Sequence, residues 1–265
     1  KKKYYKCLSC DLVFQYPQPS KDDLKKIYDK EYFNQNYKQK NLKLKLRKEQ
    51  YSLDKNIILN YFKDNKNKNI LDYGCGIGLN TEKYLKYLPK KITGVDISEI
   101  SLQKARDRVK TNGNQNVEFK QDNCENLSLE NDSFELIYGT GVLHHLKLDL
   151  AVKEIARVLK KNGKIIFVEP LGTNPIINFY RWMTPKARSH DEHPFKDKDF
   201  AFMKNHFKDL KIKYYGFLTL IFYPFYSNQN SSKFFNFLSN LDQYLFKLRI
   251  LRKFAWSALI VGKKI

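Results

Sequence analysis

The stretch Ile70-Leu71-Asp72-Tyr73-Gly74-Cys75-Gly76-Ile77-Gly78 decides the fold. Ile70 to Tyr73 reads as a short buried strand, three glycines follow at alternate positions, and helical periodicity begins near Leu79. Glycine carries no Cβ, so such a turn admits a ligand close to the backbone and tolerates positive φ. A strand that runs through a glycine turn into a helix is a ligand-binding unit of α/β proteins. Asp72 stands two residues before the first glycine, where a carboxylate faces the ligand. It suits an ammonium group and repels a pyrophosphate. The plainer alternative is a turn required only for packing.

Outward from this unit the same alternation continues. The pattern predicts a helix near Leu79 to Leu88, a strand Ile92 to Asp96, a helix near Ser98 to Thr111 and strands Val117 to Lys120 and Phe134 to Tyr138. A helix near Asp149 to Leu159, an Asn162-Gly163 turn and a strand Lys164 to Glu169 complete the regular part. Right-handed crossovers between such strands build a doubly wound, mostly parallel sheet with ligand sites at the strand C-termini. Beyond Pro170 the pattern loosens around Pro175, Pro185 and Pro194, then gives a helix near Lys196 to Asn205 and a strand Leu210 to Phe217. A helical insertion rich in Phe and Leu, Ser232 to Leu251, precedes a last strand Trp256 to Gly262. Residues 1–40 read as an N-terminal appendage. Residues 41–265 read as the main domain, within which 171–206 and 218–254 serve as acceptor-side or capping segments.

Two further acids stand at strand ends. Gly94-Val95-Asp96-Ile97-Ser98 closes the second strand about twenty residues after the glycine turn, where a carboxylate accepts hydrogen bonds from both hydroxyls of a ribose. Nucleotide-dependent dehydrogenases place an acid here too, so Asp96 points to a ribose ligand without choosing between families. Asp122 and Asn123 follow the third strand, and a surface turn is the alternative for them.

The glycine pattern G-x-G-x-G behind Asp72, the run Phe134 to Leu146 with its Val142-Leu143-His144-His145, and Leu159 to Lys164 together resemble the class I, Rossmann-like methyltransferases of the small-molecule type. The resemblance is close over Ile70 to Pro170 and loose elsewhere. It implies a seven-stranded sheet of order 3-2-1-4-5-7-6 with helices on both faces and a helical insertion before the last strand. It also implies S-adenosylmethionine as cofactor, held by Asp72, Gly74, Cys75, Gly76 and Gly78, with Asp96 and Ile97 at the ribose. Asp122 would read the adenine amino group, Asn123 would donate to a ring nitrogen, and Gly139 and Thr140 would lie on the methionine side. The sequence departs from the family at Tyr138-Gly139, where relatives carry an apolar residue and then a small polar one.

Methyl transfer from a sulfonium is an in-line displacement, so the enzyme mainly orients the acceptor and excludes water. An acceptor hydroxyl gains from a general base, and His144, His145 and the His193 of Asp191-Glu192-His193 are the candidates, with Glu169 facing the same region. Packing or backbone hydrogen bonding is the alternative for each histidine. The expected activity is methyl transfer to a small-molecule acceptor at oxygen, on a sugar-linked, lipid-linked or natural-product intermediate. An RNA methyltransferase and a non-catalytic cofactor-binding scaffold are the other readings.

Cys7-x-x-Cys10 supplies half of a tetrahedral zinc site, and with Phe14, Pro17, Pro19, Tyr28 and Tyr32-Phe33 it resembles the zinc-ribbon lead-in of some bacterial methyltransferases. A second pair of ligands would have to lie upstream. Otherwise the segment is a hairpin turn with two thiols.

Composition bounds these readings. A chain of 265 residues with 42% hydrophobic content buries a sizeable core, which excludes a disordered or fibrous protein. Four cysteines do not make a disulfide scaffold, and Lys1 to Lys6 leads into no apolar signal core, so a reducing cytoplasm is expected. The longest apolar stretch, Tyr214 to Tyr226, is interrupted by Gly216 and Pro224 and is too short to span a bilayer. The net charge of +21 attracts nucleic acid, anionic lipid or an anionic substrate, unless it is only a Lys-rich bias. It concentrates in Lys38 to Lys48, with six basic residues and no acid, and in Lys204 to Lys264, with eleven against Asp209 and Asp242. The stripe Phe234, Phe235, Phe237, Leu238, Leu241, Leu245 and Leu248 either packs on the core, roofs an acceptor pocket or lies on a membrane surface.

Overall fold

The computed structural model describes residues 3–6, 13–16, 66–110, 116–183, 192–222 and 231–265. Strands β1 (Lys3–Lys6) and β2 (Val13–Tyr16) form an antiparallel pair in which Lys6 faces Val13. Cys7 and Cys10 fall between them, outside the described residues, and Asp191 also lies outside the described residues.

A seven-stranded sheet organises the rest. In chain order it comprises β3 (Asn69–Tyr73), β4 (Lys91–Asp96), β5 (Val117–Gln121), β6 (Phe134–Thr140), β7 (Leu159–Pro170), β8 (Phe207–Tyr215) and β9 (Ser257–Lys264). Its spatial order is β5-β4-β3-β6-β7-β9-β8, which is 3-2-1-4-5-7-6 counted from the glycine-turn strand. The first five strands run parallel and β9 is antiparallel to both β7 and β8. The expected sheet is therefore present, and the glycine turn sits at its centre.

Alternation along β3 sets the two faces. Leu71 and Tyr73 join Val95, Ile137 and Phe167 in one core, while Ile70 joins Tyr84, Ile92, Leu136 and Tyr138 in the other. Parallel strands covered on both sides carry apolar residues at successive positions, which is why the sequence shows short continuous apolar runs. Helix α1 (Leu79–Tyr84) follows the glycine turn, α2 (Glu99–Lys110) follows β4, and α3 (Leu148–Val158) precedes β7.

The structure differs from the sequence reading at several places: β8 runs from Phe207 to Tyr215 rather than from Leu210 to Phe217, and the helix after the glycine turn ends at Tyr84 in a 3-10 turn, Leu85–Tyr87. β7 begins at Leu159 rather than Lys164, because Leu159 already pairs with Phe134 before the register shifts and Asn162 takes φ 61°. A helix α4 (Pro175–Met183) occupies what read as a proline-marked loop. Proline is favourable in a first helical turn, and the Asn174 side chain caps this one by accepting from the N–H groups of Ile176 and Ile177. After α5 (Asp197–Lys204) and β8 comes a short α6 (Leu218–Ile221), and the Phe-rich insertion splits into α7 (Ser231–Leu245) and a 3-10 segment Arg249–Phe254.

Candidate active site

The chain leaves β3 through Gly74, Gly76 and Gly78, with φ of 68°, 52° and 71°. At Gly74 a Cβ would run into Val142, and at Gly78 it would meet the Ala105 Cβ at 2.9 Å. Those two glycines answer to packing as well as to backbone conformation. Gly76 is different. A Cβ there would find no heavy atom within 4 Å, so the space above this peptide is open to a ligand.

Asp96 lies against the same peptide. Its Oδ2 accepts from the Gly76 N–H at 2.8 Å and its Oδ1 from the Ser98 N–H at 2.9 Å. Burial pushes the Asp96 carboxyl up from its ordinary range, and the Ser98 and Gly76 N–H groups partly offset this. Each oxygen accepts one of these bonds and has a second lone pair, which is the acceptor pattern for two vicinal hydroxyls.

Asp72 lies lower, 2% exposed, and its Oδ2 accepts from the hydroxyls of Thr81 and Tyr138. Burial pushes its carboxyl up to about 7, against the pull of the two hydroxyls and with a small push from Asp96. Tyr138 thus has a specific task beneath the turn. Gly139 has another: a Cβ there would meet Phe167 at 2.7 Å and the Tyr73 carbonyl oxygen at 2.8 Å. The Tyr138-Gly139 departure from the family pattern is matched by these two contacts. Thr140, at the end of β6, is 3.5 Å from the Asn80 amide.

Cys75 is buried and donates its backbone N–H to the Val95 carbonyl at 2.9 Å. Burial pushes the Cys75 and Cys124 thiols well up, so both behave as small apolar groups. Ile97 is half-buried between Asp96 and Ser98, and its carbonyl accepts from the Gln121 amide at 2.9 Å.

Asp122 organises its own loop. Its Oδ1 accepts from the Asn123 N–H at 2.8 Å, and its Oδ2 accepts from the N–H and the hydroxyl of Ser128, both at 2.8 Å. Asn123 in turn accepts from the Glu125 N–H at 2.9 Å. The turn-forming role expected of Asp and Asn is therefore present, whatever else they contact.

At the end of β7, Glu169 is fully buried. Its Oε1 accepts from the N–H groups of Val142 and Leu143 at 3.1 and 2.9 Å, and its Oε2 lies 2.7 Å from Nδ1 of His144. A carboxylate only accepts, so this contact takes Nδ1 of His144 as the donor, and in a neutral ring that leaves the lone pair on Nε2. The His145 ring lies tilted by 40° against that of His144, with the centroids 4.1 Å apart. His193 reaches this corner through its backbone, donating its N–H to the His144 carbonyl at 2.8 Å. The segment carrying it is fixed to the sheet end by Phe195, which donates to the Pro170 carbonyl and accepts from the Gly172 N–H. Ligand atoms of His144, His145 and Glu192 lie within 4.8 Å of one another, a set able to hold a divalent cation.

Thr81 was invisible in the sequence as a site residue. Its only signal is a polar side chain in the first turn of the helix behind the glycines.

Residues 71–167 match the family model described as "Methyltransferase domain". Among curated proteins the chain is 34% identical over 101 residues to the uncharacterized methyltransferase YcgJ of Bacillus subtilis, covering 38% of this chain and 40% of that protein. It is 32% identical over 115 residues to a demethylmenaquinone methyltransferase of Lactococcus lactis, covering 42% of this chain and 45% of that enzyme. The matched stretch thus spans less than half the length of these relatives. The chain carries a methyltransferase domain. Its fold is that of the class I enzymes, whose cofactor is S-adenosylmethionine. The solved structure of Bacillus subtilis YcgJ superposes with TM-score 0.54 at 19% identity, over 80% of this chain and 98% of that one. Geranyl diphosphate C-methyltransferase from Streptomyces coelicolor superposes with TM-score 0.59 at 10% identity, over 81% of each chain.

Proposed function

We propose that this protein transfers a methyl group from S-adenosylmethionine to an oxygen of a small-molecule acceptor. The observation that carries the reading is the open peptide of Gly76 beside the Asp96 carboxylate, at the end of the central strands. When bound, the cofactor supplies the sulfonium methyl group. Gly76 admits it to the backbone, and Asp96 accepts from the ribose hydroxyls while Ile97 flanks the adenosine. Gly74, Cys75 and Gly78 shape the turn, and Asp72 presents negative charge beneath the methionine ammonium. Gly139 and Thr140 border the methionine side, and Asp122 and Asn123 the adenine. His144 is the general base, its Nε2 lone pair set by the Nδ1–H donated to Glu169. His145 and His193 complete that corner, and segments 171–206 and 218–254 serve as acceptor-side or capping segments.

A small acceptor agrees with the relatives, which include the demethylmenaquinone enzyme of Lactococcus lactis and a ubiquinone biosynthesis O-methyltransferase of Pelagibacter ubique. The latter also agrees with transfer to oxygen. The test is a calorimetric titration with S-adenosylhomocysteine, repeated on Asp96→Ala and at two salt concentrations. The reading expects micromolar affinity, lost in the variant and little changed by salt. No binding to well-folded protein overturns it in favour of a scaffold, and strong salt-sensitive RNA binding favours an RNA methyltransferase.

A further inference from the structure

The C-terminal third carries an apolar surface that the described residues do not cover. Helix α4 is turned inside out: of its described side chains only Ile177 is buried, while Ile176, Phe179, Trp182 and Met183 are exposed, Trp182 by 76%. Positions 176, 179 and 183 lie on one helical stripe, and the Phe179 and Trp182 rings stack with centroids 5.9 Å apart. α4 packs on the 3-10 segment Arg249–Phe254, to which Asn174 is tied through the Phe254 carbonyl. α7, which leads through Leu248 into that segment, presents Phe237 and Tyr244, and Leu248 and Ile250 are exposed where the chain joins them, while Phe234 meets the Phe222 ring edge-on. α7 buries Leu238 and Asp242 on its opposite face and packs there against α6.

Within these elements the exposed charge has one sign, while the exposed Asp197 at the start of α5 lies near Tyr214 together with Arg249 and Arg252. Lys233, Lys247, Arg249 and Lys253 are exposed in or between these elements. Between residues 210 and 265 the sequence holds a single acid, Asp242, and between 170 and 190 it holds none. Asp242 is 1% exposed and engaged inward, accepting from the N–H groups of Phe217, Leu218 and Thr219. Nothing negative therefore reaches the outside from these two stretches. No helix among the described residues is long and apolar enough to cross a membrane.

We propose that α4, the 249–254 segment and the outer stripe of α7 form a docking surface for an anionic lipid bilayer. Exposed aromatics seated at the acyl boundary, ringed by Lys and Arg reaching the headgroups, are the two contributions that hold a peripheral protein on a membrane. Soluble polyanions use the charge but offer nothing to Trp182, Phe179 and Ile250. The surface borders the C-terminal end of the sheet, because α4 starts six residues after Glu169.

The test is sedimentation of the intact chain with phosphatidylglycerol–phosphatidylcholine vesicles and with phosphatidylcholine alone, at physiological salt. The chain has two tryptophans, so Trp256→Phe leaves Trp182 as the only tryptophan, and with excitation at the red edge of its absorption brominated lipid then reads its depth. The expected result is binding to the anionic vesicles with quenching of Trp182, and roughly ten-fold weaker partitioning after Phe179→Ser with Trp182→Ser. Circular dichroism of the double variant checks that the fold is intact. Three results overturn the proposal: no binding to anionic vesicles, binding that vanishes in high salt with Trp182 never quenched, or a vesicle-free dimer that shields Trp182 from iodide.

Discussion

The two ends of this sheet's C-terminal rim are built by different means. On the β3–β4 side the site is made by backbone and by missing side chains: three glycines at positive φ, and a carboxylate held by two peptide N–H groups. On the β6–β7 side it is made by long-range side-chain contacts, with Glu169 gathering Val142, Leu143 and His144 from another strand end, and with Asn174 and Asp242 fixing distant turns. Backbone requirements leave short, local signatures. Side-chain convergence leaves almost none.

The sharpest way to break this comparison lies within the glycine turn. Gly74→Ala places a Cβ into Val142 at a left-handed φ, and the expected loss is about 3 kcal/mol or failure to accumulate soluble protein. Gly76→Ala meets no protein atom, so only the left-handed strain of about 1–2 kcal/mol applies, and the protein stays folded. It nevertheless loses S-adenosylhomocysteine binding, because the methyl group fills the space the ligand needs. Melting curves and calorimetry on the two variants separate these effects. Equal binding by Gly76→Ala and the native chain would remove Gly76 from the cofactor site.

Glu169→Gln probes the other side. The amide still accepts from Val142 and Leu143, but it can present an N–H to His144, which moves the histidine proton from Nδ1 to Nε2. Nitrogen chemical shifts of the His144 ring should report the inverted tautomer, with cofactor affinity unchanged. Once an acceptor is known, turnover should fall by about a hundred-fold or more, since a general base in the wrong tautomer cannot take the proton.

The same contrast explains what was legible. The strands could be anticipated because Ile70 to Gly78, Ile92 to Asp96 and Ile165 to Val168 each carry a strong local pattern, and their order because the resemblance to the class I methyltransferases implies it. Helix α4 was not, because Pro175 looks like a loop marker until the Asn174 cap is seen, and because its exposed aromatics leave no inward stripe to detect. Asp72, Asp96 and Asp122 could be named as strand-end acids. The sequence did not reveal that Asp72 is buried under the hydroxyls of Thr81 and Tyr138, nor that Asp122 is tied to Ser128, since those partners are set by the packing of separate elements.

Asp72 gives a finer test, through protons. Its carboxyl holds a proton up to about 7 in the fold but releases it near 3.8 when unfolded, so its contribution to stability diminishes as pH rises through that window. An ammonium above it favours the charged form and lowers its folded value. Cofactor binding should then release up to one proton at about pH 6, fading above about pH 8. Calorimetry at fixed pH in two buffers of different ionisation enthalpy measures this directly. Absence of proton release, with Asp72→Asn binding as tightly as the native chain, would make Asp72 a structural residue only.

The smallest effect is expected at Asp122. Its oxygens already serve Asn123 and Ser128 within the loop, so an adenine amino group would share an acceptor that is partly committed. Asp122→Asn can keep an acceptor oxygen for one of these partners but not for all of them. The loop should loosen by about 1 kcal/mol, and S-adenosylhomocysteine affinity should fall about five- to ten-fold. Ser128→Ala separates the two roles, because it removes one loop bond without touching the acid. If Ser128→Ala weakens binding as much as Asp122→Asn, Asp122 acts through the loop it holds; if only Asp122→Asn weakens it, the carboxylate meets the adenine itself.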